Sequence, residues 1–220
     1  MPKVTEEYKQ QKRKMIIQSA LEVLERKSLY ELNMLDVVKQ AKLSKGGIYL
    51  YFSDIDELLI EVINTIFEEQ EDVTFSEKYL EEDIEAGLVK IFRQLGDYIE
   101  ACPPIVSKIR YELSVYITND PKKMEKILPK LKPQQTGARF MALVAQLIHK
   151  GIEQNIFYSE LALDVIMTNI SIYIDGMTEY VVRMRVYNGP KLSYPVSTYF
   201  EQFIRSEISH GKRGSVKRSF

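Results

Sequence analysis

One short stretch of the chain combines residue types that suit binding to a phosphate-rich surface. It runs from Ser44 to Phe52 and reads SKGGIYLYF. Lysine and tyrosine side chains donate hydrogen bonds to phosphates, and glycines let a backbone approach a bulky polyanion closely. Each of two adjacent glycines in a helix lowers helix stability by roughly 1 kcal/mol relative to alanine, which indicates that another property of glycine is required here. We interpret the stretch as a helix that lies in the major groove of DNA. The alternative is that Gly46 and Gly47 form a loop and the helix begins later.

The apolar and aromatic residues of this stretch divide by helical spacing. Ile48 and Phe52 lie one turn apart and are predicted to be buried anchors. Tyr49 and Tyr51 project away from that pair, and a tyrosine hydroxyl is a good donor to phosphate. We interpret Tyr49 as a DNA contact. For Tyr51 the sequence leaves DNA contact and half-buried packing equally open.

The elements that must position this stretch form a helix-turn-helix. A short helix is predicted to begin at Asn33, whose side chain caps the first turn together with Asp36. Its residues Leu35, Val38 and Ala41 are predicted to face inward. The pattern breaks at residues 42–44, where Leu43 packs in the turn and Ser44 caps the second, reading helix.

Apolar residues recur at helical spacing along nearly the whole chain, and no segment alternates as a strand does. We therefore predict an all-α protein, with an N-terminal three-helix head and a larger helical body. Beyond the two short helices, the predicted helices span about residues 6–27, 54–70, 77–101, 103–118, 121–128, 136–155 and 162–187, together with a third long C-terminal helix.

Two C-terminal segments, 136–155 and 162–187, are apolar around much of their circumference. A helix that is apolar on more than one side must be buried on more than one side. We predict that the pair buries one face in its own subunit and another against a second copy, as a four-helix bundle under a twofold axis. The alternative is two central helices of a monomeric bundle.

The net charge of −1 hides a segregation of charge along the chain. Residues 1–51 carry ten Lys or Arg against six acids, whereas residues 52–100 carry three against fifteen. A basic head before an acidic body would steer the head toward a polyanion. The alternative, that these charge runs are only solvated faces, is equally compatible with the charge pattern.

The chain offers little for catalysis or metal binding. Its histidines are His149 and His210 and its one cysteine is Cys102, so it has no spaced cluster of metal ligands. It also lacks a phosphate-cradling glycine loop and a nucleophile elbow, and we expect no enzyme activity, no metal and no cofactor. No run approaches the ~20 apolar residues that span a bilayer, and the N-terminus is charged. We therefore expect a cytoplasmic protein without membrane contact.

Residues 13–59 resemble the DNA-binding domain of the tetracycline-repressor (TetR) family. The resemblance is most specific in the run AKLSKGGIYLYF at 41–52, followed by Glu57-Leu58-Leu59. It implies that the second short helix contacts DNA and that the start of the first approaches the DNA backbone. The residues that we expect at the DNA interface are Asn33, Met34, Leu35, Ser44, Lys45, Gly46, Gly47, Tyr49 and Tyr51.

Four positions depart from the family pattern. Lys42 stands where a turn glycine is usual, and Gly47 where a hydroxyl residue often touches DNA. Ser28 stands where a glycine usually ends the first helix, and Ile55 where a lysine commonly anchors the fourth helix to phosphate. The changes at Gly47 and Ile55 concern individual DNA contacts more than the fold.

The resemblance also implies a division of the chain by function. Short stretches at 151–152, 156–157 and 174–177 are similar to the last long helices of the family, which form its dimer interface. The expected domains are a helix-turn-helix DNA-binding domain at 1–53, linked by the helix 54–70, a helical ligand-sensing and dimerisation domain at 54–209, and a basic tail at 210–220 that we expect to be disordered.

Large aromatic, methionine and aliphatic residues of the body are candidates to line a ligand pocket, although any one of them is more often ordinary core. The set is Phe92, Leu95, Tyr98, Ile99, Ile109, Glu112, Leu113, Tyr116, Phe140, Val144, Tyr173, Met177 and Tyr180. Glu112 stands out because its helix is otherwise largely apolar. A buried acid could counter a cationic ligand, or it could pair with Arg110, Lys108 or a neighbouring helix.

Taken with the resemblance, these patterns predict a ligand-responsive transcriptional regulator. We expect a repressor that a small hydrophobic or amphipathic molecule releases from a palindromic operator. Its expected partners are double-stranded DNA, a second copy of the chain through the helices near 136–155 and 162–187, and a small-molecule inducer. The alternative is a helical protein-interaction module without specific DNA binding.

Overall fold

The structure is a computed structural model that describes residues 5–69, 83–118, 120–157, 161–186, 189 and 191–209. These residues form ten α-helices and one short 3₁₀ helix at Leu128–Lys130, and none of them lies in a β-strand. The predicted all-α fold class is confirmed. The tail predicted at 210–220 lies outside the described residues.

The helices follow the predicted order. They are α1 (Glu6–Leu24), α2 (Met34–Ala41), α3 (Lys45–Tyr49), α4 (Ile55–Glu69), α5 (Ile84–Ala101), α6 (Pro104–Thr118), α7 (Pro121–Ile127), α8 (Lys132–Glu153), α9 (Leu163–Val186) and α10 (Val196–Ser209). The first helix ends three residues before the predicted limit. The first residues of the helix predicted at 77–101 lie outside the described part of the chain.

By internal packing the chain divides into two compact units. The first unit comprises residues 1–71 and 103–135, so it joins the helix-turn-helix to α4, α6 and α7. The second unit comprises residues 72–102 and 136–220. The domain limits expected from the sequence divide the chain by function, and that division stays a prediction.

The core of the first unit gathers the inner faces of α1, α2 and α4 around the reading helix. Ile48 and Phe52 are almost completely buried in it, as their spacing predicts. On α2, however, the buried residues are Met34 and Val37, while Leu35 is 54% exposed. The prediction that Leu35 faces inward is therefore wrong, because α2 is turned by about one residue relative to the expected face.

The turn between α2 and α3 contains an uncommon backbone conformation. Lys42 ends α2 with φ 52° and ψ 37°, in the left-handed region that favours glycine. A side chain in that region costs roughly 1–2 kcal/mol. The lysine that stands at the usual glycine position therefore lowers the stability of the turn without preventing it.

The core of the second unit is built on close packing of α5 against α10. Phe92 and Phe200 are fully buried, with ring centroids 6.4 Å apart. A Cβ atom at Gly96 would lie 2.4 Å from the Cα atom of Ser197, so only glycine permits this approach of the two helices. Phe140 of α8 packs against Phe92 at 5.9 Å and completes the aromatic centre.

Candidate DNA-binding site

The reading helix α3 begins where the sequence predicts. Ser44 precedes it in an extended conformation, and its Oγ atom accepts a hydrogen bond of 3.1 Å from the amide of Gly47. Lys45, Gly46 and Gly47 thus form the first turn of the helix. The alternative of a loop at the two glycines is wrong.

The two glycines differ in how the fold constrains them. Neither has a positive φ. A Cβ atom at Gly47 would lie 3.1 Å from the capping Oγ atom of Ser44, so the cap itself favours a small residue there. A Cβ atom at Gly46 would meet nothing within 4 Å. Among the described residues, the fold therefore gives no reason for glycine at position 46, and a contact outside the chain would supply one.

Two large exposed side chains lie on the outward side at the C-terminal end of the reading helix, on Tyr49 and on the capping residue Leu50. Tyr49 is 44% exposed, and the Nζ atom of Lys45 lies 6.0 Å from the centroid of its ring. Leu50 is 82% exposed and was missed by the sequence analysis. The signal for it was available: a residue two positions from both Ile48 and Phe52 lies about 200° around the helix, on the opposite side from the core.

Tyr51 is half-buried and packs against the core of the first unit. Its carbonyl oxygen accepts a hydrogen bond of 2.7 Å from Arg13, whose guanidinium lies 4.4 Å from the centroid of the Phe52 ring. Arg13 also approaches Glu61 of α4 at 3.7 Å. One arginine therefore fixes the end of the reading helix to both α1 and α4.

The start of α2 is closed by the predicted capping box. The Oδ1 atom of Asn33 accepts hydrogen bonds from the amides of Leu35 and Asp36, at 3.0 and 3.1 Å. The Oδ2 atom of Asp36 accepts one from the amide of Asn33 at 3.3 Å. Because the side chain of Met34 is buried, only its backbone remains available to DNA, whereas Leu35 presents its side chain.

Some basic residues of the head form ion pairs with acidic residues of the head. Lys27 lies 2.8 Å from Asp36, and its hydrogen bond holds the pKa of that carboxyl below its ordinary value. Lys9 lies 3.2 Å from Glu6. With Arg13 also engaged, the count of ten basic residues overstates the number of cations that the head offers to a polyanion.

Helix α6 attaches the body of the first unit to the turn between α1 and α2. The Nζ atom of Lys108 donates hydrogen bonds to the carbonyl oxygens of Leu24 and of Lys27, the latter at 2.7 Å. The Oε2 atom of Glu112 accepts a hydrogen bond of 2.8 Å from the amide of Leu29. A cation at the C-terminal end of α1 also complements its helix dipole.

The carboxylate of Glu112 thus makes contacts of the structural kind expected from the sequence, with a neighbouring segment and with Lys108, which lies 4.0 Å away.

Helix α7 attaches to the start of α4 through charged groups. The Nζ atom of Lys126 lies 2.8 Å from Asp54 and 2.9 Å from Asp56. Burial alone would raise the pKa of Asp54, but the hydrogen bond from Lys126 and others hold it below its ordinary value. Tyr116 of α6 donates a hydrogen bond of 3.0 Å to Asp56. The head and the helices α4, α6 and α7 are thus joined by directional polar contacts.

Residues 16–62 match the family model of bacterial regulatory proteins of the tetR family. The predicted resemblance to the TetR family is confirmed over this segment. Over 159 residues it is 26% identical to an uncharacterized HTH-type transcriptional regulator, YfiR of Bacillus subtilis strain 168, which covers 71% of this chain and 73% of that protein.

Solved structures share the fold of this chain. The crystal structure of MexZ, a key repressor responsible for antibiotic resistance in Pseudomonas aeruginosa, has a TM-score of 0.63 at 15% identity and covers 91% of this chain and 94% of MexZ. The regulator FadR from Bacillus subtilis, in complex with stearoyl-CoA, has a TM-score of 0.58 at 17% identity, with coverages of 89% and 97%. The likeness to these structures shows the fold, and the family match at residues 16–62 includes the helix-turn-helix of α2 and α3.

The structure divides the residues expected to line a ligand pocket between the two compact units. Ile109, Glu112, Leu113 and Tyr116 belong to the first, and Phe92, Leu95, Tyr98, Ile99, Phe140, Val144, Tyr173, Met177 and Tyr180 to the second. Several are ordinary core: Phe92 and Val144 are fully buried, and Tyr173 stacks on Phe203 at 3.8 Å. Their role in ligand binding stays a prediction.

The second unit contains a cavity of about 500 Å³ that the sequence analysis did not anticipate. It lies at the ends of α5 and α9 and the start of α10. Its lining residues are Glu100, Val181, Met184, Arg185, Gly189, Lys191, Leu192 and Val196. These residues include apolar side chains and charged groups of both signs.

Two kinds of feature are absent from the described residues. Within the described residues, no group of three or more His, Cys, Asp or Glu side chains could hold a metal ion. Among the helices that the structure describes, none has the length and apolar character needed to cross a bilayer.

Proposed function

We propose that the chain is a ligand-responsive repressor that binds a palindromic DNA operator as a homodimer. The observation that carries the proposal is the reading helix, which is capped at Ser44, open at Gly46 and fixed to the head by Arg13. Its outward face presents Lys45 and Tyr49, which suit contacts with phosphates and base edges. A helix-turn-helix inserts its second helix into the major groove in this manner.

We infer that the dimer forms through α8 and α9. On α9, Ile172 is 66% exposed, and Val165, seven residues earlier on the same face, is also exposed. A Cβ atom at Gly176, one turn after Ile172, would meet nothing within 4 Å. An apolar stripe with a small residue suits packing against an identical helix under a twofold axis.

We infer that a hydrophobic or amphipathic molecule binds in the body and releases the operator. A cavity of about 500 Å³ falls within the range of small-molecule sites, and FadR, a protein of the same fold, is described in complex with stearoyl-CoA. In the proposed mechanism the ligand shifts α4, and the polar contacts within the first unit carry the reading helix along. Half-sites on B-DNA are spaced by roughly 34–36 Å per turn, so a shift of a few ångströms prevents both from being engaged.

The same reasoning favours a binding protein over an enzyme, acting in the cytoplasm where the DNA is accessible. The competing proposal is a helical protein-interaction module whose head does not recognise a DNA sequence. DNA binding by the head discriminates between the two.

The test begins with selection of duplexes by the full chain from a genomic pool. We expect a palindrome, bound with an affinity that falls steeply as salt rises. Lys45→Ala and Tyr49→Phe should each weaken binding by about 1–3 kcal/mol, and Lys45→Ala should also reduce the salt dependence. Lys122→Ala, which removes an exposed cation from α7, is the matched control and should bind as the unmodified chain does. Failure to enrich any duplex at low salt contradicts the proposal.

Ligand release has its own test. Amphipathic acyl compounds, beginning with stearoyl-CoA, are screened for an increase in the melting temperature of the chain. A compound that binds should lower operator affinity in an anisotropy titration. Binding to the second unit without any change in operator affinity contradicts the release mechanism.

A further inference from the structure

The residue that directly follows the reading helix carries a large, exposed apolar side chain. Leu50 is 82% exposed and lies opposite the buried anchors Ile48 and Phe52. Single exposed apolar residues are common on protein surfaces. Leu50 differs in its place, because it caps the C-terminal end of α3 in a helical conformation, on the side that the proposed function directs into the major groove.

The groups around Leu50 leave the reading face poor in hydrogen-bonding side chains. Gly46, one turn earlier on the same face, has no side chain. Lys45 and Tyr49 flank it and supply the polar groups of the face. Leu35, near the start of α2, adds a second exposed apolar side chain to the helix-turn-helix.

The major groove has one apolar feature that distinguishes base pairs, the C5 methyl group of thymine. A leucine side chain against that methyl excludes water from both groups, which is favourable. The same side chain against a G·C pair would cover the polar edges of guanine and cytosine without bonding them, which is costly.

We propose that Leu50 reads thymine methyl groups and thereby sets a preference for an A·T pair in each half-site of the operator. This inference rests on the proposed function and adds the chemical class of base that the reading helix selects.

The fold positions Leu50 for this role. Because a Cβ atom at Gly46 would meet only open space, the helix can settle into the groove until Leu50 meets the bases. Arg13 holds the carbonyl oxygen of Tyr51, the next residue, at 2.7 Å and so fixes the backbone on which Leu50 stands.

The experiment pairs a change in the protein with a change in the DNA. The operator selected by the full chain is resynthesised with each thymine in turn, and its symmetry mate, replaced by deoxyuridine, which removes the methyl group and keeps base pairing. Dissociation constants are measured for the unmodified chain, for Leu50→Ala, for Leu50→Gln, and for Met124→Ala, an exposed apolar control on α7.

For the unmodified chain we expect one symmetric pair of thymines at which loss of the methyl weakens binding by about fourfold per half-site. Met124→Ala should show the same response. Leu50→Ala and Leu50→Gln should bind the thymine operator more weakly and should be insensitive to deoxyuridine at that pair. Such non-additivity is the signature of a direct contact.

Three results overturn the inference while the proposed function stands, because an operator has been selected. In the first, the unmodified chain binds equally well whichever thymine methyl is removed. In the second, the Leu50 variants lose as much affinity as the unmodified chain when the methyl is removed. In the third, both variants bind DNA as the unmodified chain does, which would point to a protein partner for this side chain. Failure to select any duplex overturns the proposed function itself. Circular dichroism checks that the variants fold. We expect that they do, because the substituted residue is exposed.

Discussion

At the scale of single residues, Gly46 is a position at which stability and DNA binding are expected to favour different residues. Alanine is favoured over glycine in a helix by about 1 kcal/mol, and its methyl group would have open space at this position. We expect Gly46→Ala to leave the free energy of unfolding unchanged or to raise it, and to weaken operator binding because the methyl group holds the backbone away from the groove.

Gly137→Ala is the matched control for this substitution, since position 137 of α8 is equally open. It should raise stability in the same direction and leave operator binding unchanged. Chemical denaturation and anisotropy titrations measure the two properties. Tight operator binding by Gly46→Ala would show that close approach of the backbone is not the reason for this glycine.

Lys42 offers a second prediction at this scale, because its side chain occupies the left-handed region. Lys42→Gly should raise the free energy of unfolding by about 1 kcal/mol. Asn155→Gly changes the other described residue with positive φ, 57°, and should gain less because asparagine tolerates this region. Equal gains, or a loss at position 42, would contradict the interpretation.

Local residue patterns were predictable where they depend on spacing within one helix. The caps at Asn33 and Ser44 and the burial of Ile48 and Phe52 are of this kind, and all are confirmed. The inward placement of Leu35 failed because the rotation of a short helix is set by its neighbours rather than by its own eight residues.

At the scale of elements, Lys108 joins α6 to the C-terminal end of α1. Lys108→Met keeps much of the side-chain volume and removes the donors to the carbonyl oxygens of Leu24 and Lys27. Loss of a charged hydrogen bond to partly buried acceptors should lower the free energy of unfolding by about 1–2 kcal/mol. Lys122→Met, on the exposed side of α7, should change it little. Equal stability of both variants in urea denaturation would show that the attachment contributes nothing.

The turn between α1 and α2 predicts a dependence of stability on pH. Lys27 lowers the pKa of Asp36 in the folded chain below the ordinary value of 3.8. The unfolded chain therefore binds the proton more readily, and the stabilisation present above that value is lost as the pH falls through it. Between about pH 5 and pH 3 the free energy of unfolding should fall less steeply for Asp36→Asn than for the unmodified chain.

Gly137→Ala, which changes no titratable group, serves as the control for this titration and should retain the slope of the unmodified chain. Urea denaturation at a series of pH values gives the three slopes. Parallel slopes for Asp36→Asn and the unmodified chain would exclude a contribution from the Lys27 contact.

The contacts between elements could not be predicted from the sequence. Glu112 and Leu29 are 83 positions apart, and Lys126 and Asp54 are 72 apart. Helical periodicity identifies which face of α6 is apolar but does not identify its partner. For the same reason the residues expected around one pocket fall into two separate cores.

At the scale of the whole molecule, dimerisation and operator binding should fail together. Ile172→Glu places a charge on the exposed apolar stripe of α9, where burial against a second copy would be costly. We expect monomers in sedimentation and an operator affinity lower by about a hundredfold or more, because the two half-sites are no longer linked. Tyr111→Glu, at an exposed aromatic residue of α6, should remain dimeric. A stable Ile172→Glu dimer would place the interface elsewhere.

The family and the fold class could be predicted because the reading helix and its turn leave a specific pattern in a short run of sequence. The grouping of residues 103–135 with the head could not, since it depends on pairings such as Tyr116 with Asp56 that join distant segments.

The attachment of α6 to the turn between α1 and α2 has a consequence for how such a regulator diverges. Lys108 and Glu112 bond main-chain oxygens at the end of α1 and in the turn and one main-chain amide of the turn, and every residue type except proline supplies both kinds of group. The turn can therefore change its side chains over generations without losing this connection to α6. Operator preference and inducer preference are then free to evolve separately, and one body can come to control a new set of genes.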